Sequence, residues 1–276
     1  MGDLPNAAPS VPEPPIESGR VDSSGHKLYW ERCGQALDPS VIFLHHGLGS
    51  TLAWRAQLVT FARRGWQAVA YDRWGYGRSS PRPSLDLPTF ARDVQDLATL
   101  LDDLGIRRTA LVGHRDGGTA ALYFAAQFPE RVTALVTVAA HIYAQLDMAP
   151  GTLTVEDAFD HDPAFREGLR RAHAERAEAV FRTWFESWLQ PCNLGWDMRP
   201  VLDGVRCPTL VIQGERDEYA TSQHARDLAD SIADGSLWLI PGIGHMAPQD
   251  DPDEFNRRVL EFLEPFRLAA LPESQS

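Results

Sequence analysis

The sequence predicts an α/β fold, a mostly parallel sheet covered by helices on both faces and interrupted by a helical insertion. Three observations carry that expectation. Short apolar runs of strand length alternate with amphipathic helical patterns along the chain. Several of those runs are almost continuously apolar, as strands buried on both faces must be. Glycine-punctuated loops bearing histidine, aspartate or arginine follow the carboxyl ends of the runs, which is where open α/β sheets hold their ligands. The expected division is a Pro-rich disordered arm over residues 1–19, a core over 20–140 and 207–276, and a helical cap over 141–206.

From Arg20 to Gly34 alternating residues predict two antiparallel strands joined at Ser23-Ser24-Gly25. Val41 to Leu44 reads as a strand buried on both faces and ends in His45-His46-Gly47-Leu48-Gly49-Ser50, where glycine lets backbone N–H groups approach a ligand. A helix over Trp54 to Ala62 and a buried strand over Gln67 to Tyr71 follow. Phe90, Val94, Leu97, Leu101 and Leu104 recur on one helical face, with Pro88 near the start and Gly105 as the stop. The run Thr109 to Val112 predicts the next strand, Thr119 to Gln127 a helix, and Val132 to Ala139 another strand. Between His141 and Arg206 the pattern turns helical and aromatic-rich; its Trp184 and Trp188, with His141, either line a pocket or pack short helices onto the core. Strands over Thr209 to Gln213 and Ser236 to Ile240, and helices near Thr221 to Ile232 and Asp253 to Phe266, complete the pattern.

Composition narrows the function classes. A chain of 276 residues that is 43% hydrophobic has ample material for a core. Its net charge of −12 disfavours nucleic acid and anionic membrane as partners. Cys33, Cys192 and Cys207 lie far apart without metal-site or disulfide spacing, and a reducing cytoplasm is the expected location. Met1 to Glu17 holds five prolines and no apolar stretch of the secretory type. No metal or cofactor site is expected, a small molecule is the expected partner, and the oligomeric state is left open.

The chemistry centres on Gly113-His114-Arg115-Asp116-Gly117. A strand that turns sharply into a helix between small residues is a nucleophile elbow, written G-x-S-x-G, with the reacting side chain at the tip of a strained turn. Here the tip is Arg115. Guanidinium stays protonated and has no lone pair to offer, so it is a charge and a donor and never a nucleophile.

With these motifs in order, the sequence resembles the α/β-hydrolase fold family over nearly all of the chain after residue 20. The phrases Gly-Leu-Gly-Ser and Tyr-Asp-Arg-Trp-Gly-Tyr-Gly-Arg-Ser-Ser resemble those of small esterases and carbon–carbon hydrolases. The resemblance implies that Asp217, in Gly214-Glu215-Arg216-Asp217, orients His245 of Gly244-His245-Met246, which would move a proton. It also implies oxyanion donors from Gly47, or from Leu48 in the alternative register set by the doubled histidine, and from the N–H of Asp116. His46 is either a plain loop residue or part of the substrate pocket. The group's elbow reads Gly-His-Ser-Asp-Gly-Gly, so the chain departs from it at Arg115.

Three readings of Arg115 keep the fold. It inactivates a serine hydrolase, it re-purposes the site as a lyase, a nucleophile-free hydrolase or a holder of a small anion, or Asp116 attacks in its place after a one-residue slip of the elbow. The last would put His114 where a small side chain is needed. A non-catalytic scaffold is the reading from a different class.

Overall fold

The computed structural model describes residues 12–144, 148–193, 195–219 and 221–270. Eight strands form one sheet: β1 (Ile16–Ser23), β2 (His26–Cys33), β3 (Ser40–Leu44), β4 (Gln67–Asp72), β5 (Thr109–His114), β6 (Val132–Val138), β7 (Thr209–Gly214) and β8 (Gly235–Ile240). Their order is β1-β2-β4-β3-β5-β6-β7-β8. β2 runs antiparallel to both β1 and β4, and every pairing from β4 to β8 is parallel.

The period of two along each strand sorts its side chains into two cores. Ile42, Leu44, Val69, Tyr71, Leu111 and Leu135 face α2 (Ala91–Asp103), α3 (Asp116–Gln127) and α8 (Ser222–Ser231), where Val94, Leu97, Phe124 and Leu228 meet them. Val41, Phe43, Ala68, Ala70, Val112 and Val136 face α1 (Arg55–Ala62) and α10 (Pro252–Ala270), packing on Leu58, Phe61, Phe255 and Val259. Central strands covered on both sides carry no polar face, which is why their sequence reads as nearly unbroken apolar runs.

Between β6 and β7 the chain forms α4 (Met148–His161), α5 (Pro163–His173), α6 (Ala177–Trp188) and the short α7 (Arg199–Leu202). A third, smaller apolar cluster joins Val155, Leu169, Val180 and Phe181 of these helices to Leu48 and Tyr76 of the loops after β3 and β4. Phe159 stacks on Phe181 at 3.9 Å. The helical segment thus packs on the carboxyl ends of the strands.

Two boundaries differ from the sequence expectation. β1 begins at Ile16, so residues 16–19, expected in the arm, pair with β2 from Ile16 opposite Cys33. Gly19 lies against the Trp30 ring across the pair, where a Cβ would come within 2.5 Å and the ring would have to shift. The expected arm over residues 1–11 lies outside the described residues. α3 starts at Asp116 and not at Thr119: two glycines of low helix propensity open it, and close packing rather than propensity dictates them. A short α9 (Ala247–Asp250) follows the histidine loop.

Candidate active site

β5 delivers the chain into a turn whose tip, Arg115, has φ of 49° and ψ of −116°. A non-glycine residue there costs on the order of 1–3 kcal/mol and persists only when its surroundings over-determine it. They do: the Arg115 N–H donates to the Val138 carbonyl at 2.8 Å, and the Arg115 carbonyl accepts from the Thr119 N–H at 2.9 Å. The flanking glycines are steric necessities. A Cβ on Gly113 would sit 2.5 Å from the Gly117 carbonyl oxygen, and one on Gly117 would sit 2.4 Å from that of Leu44. The left-handed position falls on Arg115 and Asp116 opens α3, so the one-residue slip needed for attack by Asp116 does not occur.

Arg115 is 8% exposed and lies under aromatic cover. Its guanidinium carbon is 5.1 Å from the Trp184 ring centroid and 6.0 Å from that of Trp188, residues one helical turn apart on α6. The carboxylate of Asp116 is 3.6 Å away, beyond hydrogen-bond length, and Arg115 Nε has no hydrogen-bond partner among the described residues. Asp116 is already shared, accepting from Trp184 Nε1 at 3.0 Å and lying 4.0 Å from Arg73.

Asp217 and His245, brought together from the loops after β7 and β8, are hydrogen-bonded, His245 Nδ1 to Asp217 Oδ2, at 2.9 Å. Asp217 also accepts from Gln213 Nε2 at 2.6 Å and from the Tyr219 N–H at 2.8 Å. A carboxylate held at several points fixes the orientation of the imidazole bonded to it through Nδ1. The Tyr219 ring stands edge-on to His245 at 5.0 Å.

The loop after β3 closes the other side. Gly47 abuts the elbow, since a Cβ on it would lie 2.2 Å from Trp184 Nε1 and 2.5 Å from Asp116 Oδ2. The His46 ring is 5.1 Å from that of His114, which is 5.0 Å from that of His245. His114 Nε2 donates to the His245 carbonyl at 3.0 Å, tying the elbow to the histidine loop. Burial pushes His46 down to about 4, with the nearness of His245 and the Arg115 guanidinium adding to the effect. Burial also holds His114 and His141 well below the usual imidazole range, helped by the nearness of His245 for the former and by the Arg115 guanidinium for the latter. His141 lies edge-on to His224 at 5.3 Å, and its carbonyl accepts from Thr119 of α3 at 2.8 Å. Trp188 leans on Trp196 at 6.2 Å as well as on Arg115, so it joins the site and the packing of the helical segment. No group of three histidine, cysteine, aspartate or glutamate side chains among the described residues is disposed to hold a metal.

A sequence profile described as the alpha/beta hydrolase fold matches residues 39–183, more than half of the chain. The chain belongs to the α/β hydrolase fold family. It is 29% identical to the serine hydrolase BPHL of Mus musculus over 90% of this chain and 87% of that protein. It is 27% identical to the bifunctional esterase/perhydrolase DCH of Acinetobacter calcoaceticus over 82% and 92% of the two chains. The 2-hydroxy-6-oxo-6-phenylhexa-2,4-dienoate hydrolase of Rhodococcus sp. strain RHA1 has the same fold, with a TM-score of 0.77, 18% identity, and 91% and 99% of the two chains covered.

Two contributors to this α/β hydrolase site escaped the sequence reading. Gln213 is the penultimate residue of β7, four positions before the aspartate it contacts, and its polar side chain in an apolar run was a usable signal. His173 of α5, which bonds the loops after β3 and β4, carried none, because its partners are far away in sequence.

Proposed function

We propose that this α/β-hydrolase-fold protein descends from hydrolases of small ester or carbon–carbon substrates and has weak or absent serine-type hydrolysis, because Arg115 stands where the nucleophile would act. The observation that carries this reading is the guanidinium at the tip of the left-handed turn, beside an intact His245–Asp217 pair. His245 would take a proton through Nε2, yet no hydroxyl is offered to it from the tip. The N–H groups of Gly47 or Leu48 and of Asp116 would receive a developing oxyanion, with residues 141–206 as the cap that shields it. Loss of the serine in a worked protease case costs roughly a millionfold in turnover. Restoring a hydroxyl should therefore restore turnover: Arg115→Ser is expected to hydrolyse a short-chain aryl ester on the order of a thousandfold faster than the unaltered chain, with part of the ideal geometry missing. Equal rates in the two proteins would overturn the reading.

A second reading is favoured by the bare Arg115 Nε. A buried guanidinium with an unused Nε donor, 3.6 Å from its only ion-pair contact among the described residues, suits the forked binding of a small carboxylate. In that case the site binds an anion and His245 serves as its second donor or as a general base.

A further inference from the structure

Residues 46–48 present three carbonyls in succession, and each accepts a hydrogen bond from a histidine. His45 Nδ1 donates to the His46 carbonyl at 2.7 Å, and His46 Nδ1 donates to that of Gly47. His173 Nε2 donates to the Leu48 carbonyl at 2.8 Å. The outer two rings are also held from behind: His45 Nε2 accepts from the Arg73 N–H at 3.0 Å, and His173 Nδ1 accepts from the Gly77 N–H at 2.9 Å. Both nitrogens of His173 are thus committed, one as donor and one as acceptor, in a ring that is 2% exposed.

Across a trans peptide the C=O of one residue and the N–H of the next point in opposite directions. Turning the carbonyls of His46 and Gly47 toward histidines therefore turns the N–H groups of Gly47 and Leu48 away from them. Neither N–H donates to a protein acceptor among the described residues. Leu48 itself has φ of 66°, a conformation that leucine rarely adopts, and the His173 bond to its carbonyl pins that conformation from the helical segment.

We infer that His173 is a positioning residue: His45 and His46 turn the Gly47 and Leu48 N–H groups toward a ligand oxygen, and His173, by capturing the Leu48 carbonyl from α5, locks the left-handed Leu48 that ends this turn and so clamps it in place. The inference rests on the reading of those N–H groups as oxyanion donors. Docking of the helical segment thereby steadies the turn that carries these N–H groups.

The clamp can be read without any activity. Amide exchange of Gly49, whose N–H closes the turn on the His46 carbonyl at 3.1 Å, would be followed by NMR in the full chain. His173→Leu should accelerate it at least tenfold while Leu111 in β5 keeps its rate, and His173→Asn, which retains a donor and an acceptor, should recover most of the protection. Unchanged exchange at Gly49, or equal acceleration at Leu111, would overturn the proposal. Should His173→Leu not fold, His173→Ala carries the same comparison. In a second arm on the Arg115→Ser background, His173→Leu should lower kcat for the aryl ester about tenfold with KM within twofold, and a change confined to KM counts against the proposal. If Arg115→Ser itself proves inactive, the hydrolase reading fails while the exchange result still decides the clamp.

Discussion

Arg115 combines two costs that proteins seldom combine, a left-handed backbone and a buried charge. Desolvating a guanidinium is offset here by the faces of Trp184 and Trp188 and by Asp116 at 3.6 Å, none of which satisfies the Nε donor. A carboxylate ligand would supply the missing acceptor. Small carboxylates are therefore expected to raise the melting temperature of the unaltered chain. At a hundred times the dissociation constant the gain is about 2.7 kcal/mol, which corresponds to roughly 5 °C for a chain of this size. Arg115→Ala should abolish the shift in a thermal scan, and an equal shift in both proteins would place the ligand elsewhere. The sequence revealed the oddity of Arg115, since the glycines at 113 and 117 set the register around it. It could not reveal what the guanidinium touches, because Trp184 and Trp188 reach it only through the packing of α6.

At the scale of the element, the strand–turn–helix from β5 into α3 is held by backbone contact. Gly117 lies against the carbonyls of Leu44 and His45, so Gly117→Ala must push β3 and α3 apart. Overpacking of this kind costs typically 1–3 kcal/mol. A lowered urea midpoint with an unchanged slope is the expected result, and a neutral effect would show that the junction can relax. Elements such as β3, β4 and β5 were legible because burial on both faces leaves an apolar signature in the chain itself. The start of β1 was not: Ile16 to Gly19 is mostly exposed, and only its register against Trp30 and Cys33 defines it. The start of α3 was hidden for the opposite reason, since contacts overrule the poor helix propensity of Gly117 and Gly118. The dyad was legible from loop position and order alone, whereas the His173 bridge depends on tertiary approach.

For the whole molecule, the buried histidines set a direction for stability against pH. Burial holds His45, His114 and His141 well below the usual range, and His46 and His173 at about 4 against an ordinary 6.5. Between those two values the unfolded chain binds protons that the folded chain refuses, so stability falls as pH falls from about 6.5 toward about 4. Asp72, raised to about 6 by burial, and Asp96, also raised by burial, act the other way, since their protonated forms suit the fold. The histidines outnumber them, and the urea midpoint is expected to drop between pH 7 and pH 5. His173→Leu should flatten that slope by a contribution on the order of 3 kcal/mol across the full window. A midpoint that rises on acidification would show that the aspartates dominate.

The outer border of the sheet has a consequence of its own. Among the described residues β1 has no neighbour beyond it, and Glu17, Arg20 and Asp22 along it are exposed. A stray extended peptide trying to pair with that border would have to dehydrate charges of both signs along its length. Such charges discourage templated aggregation at a strand edge that the described residues leave unpaired.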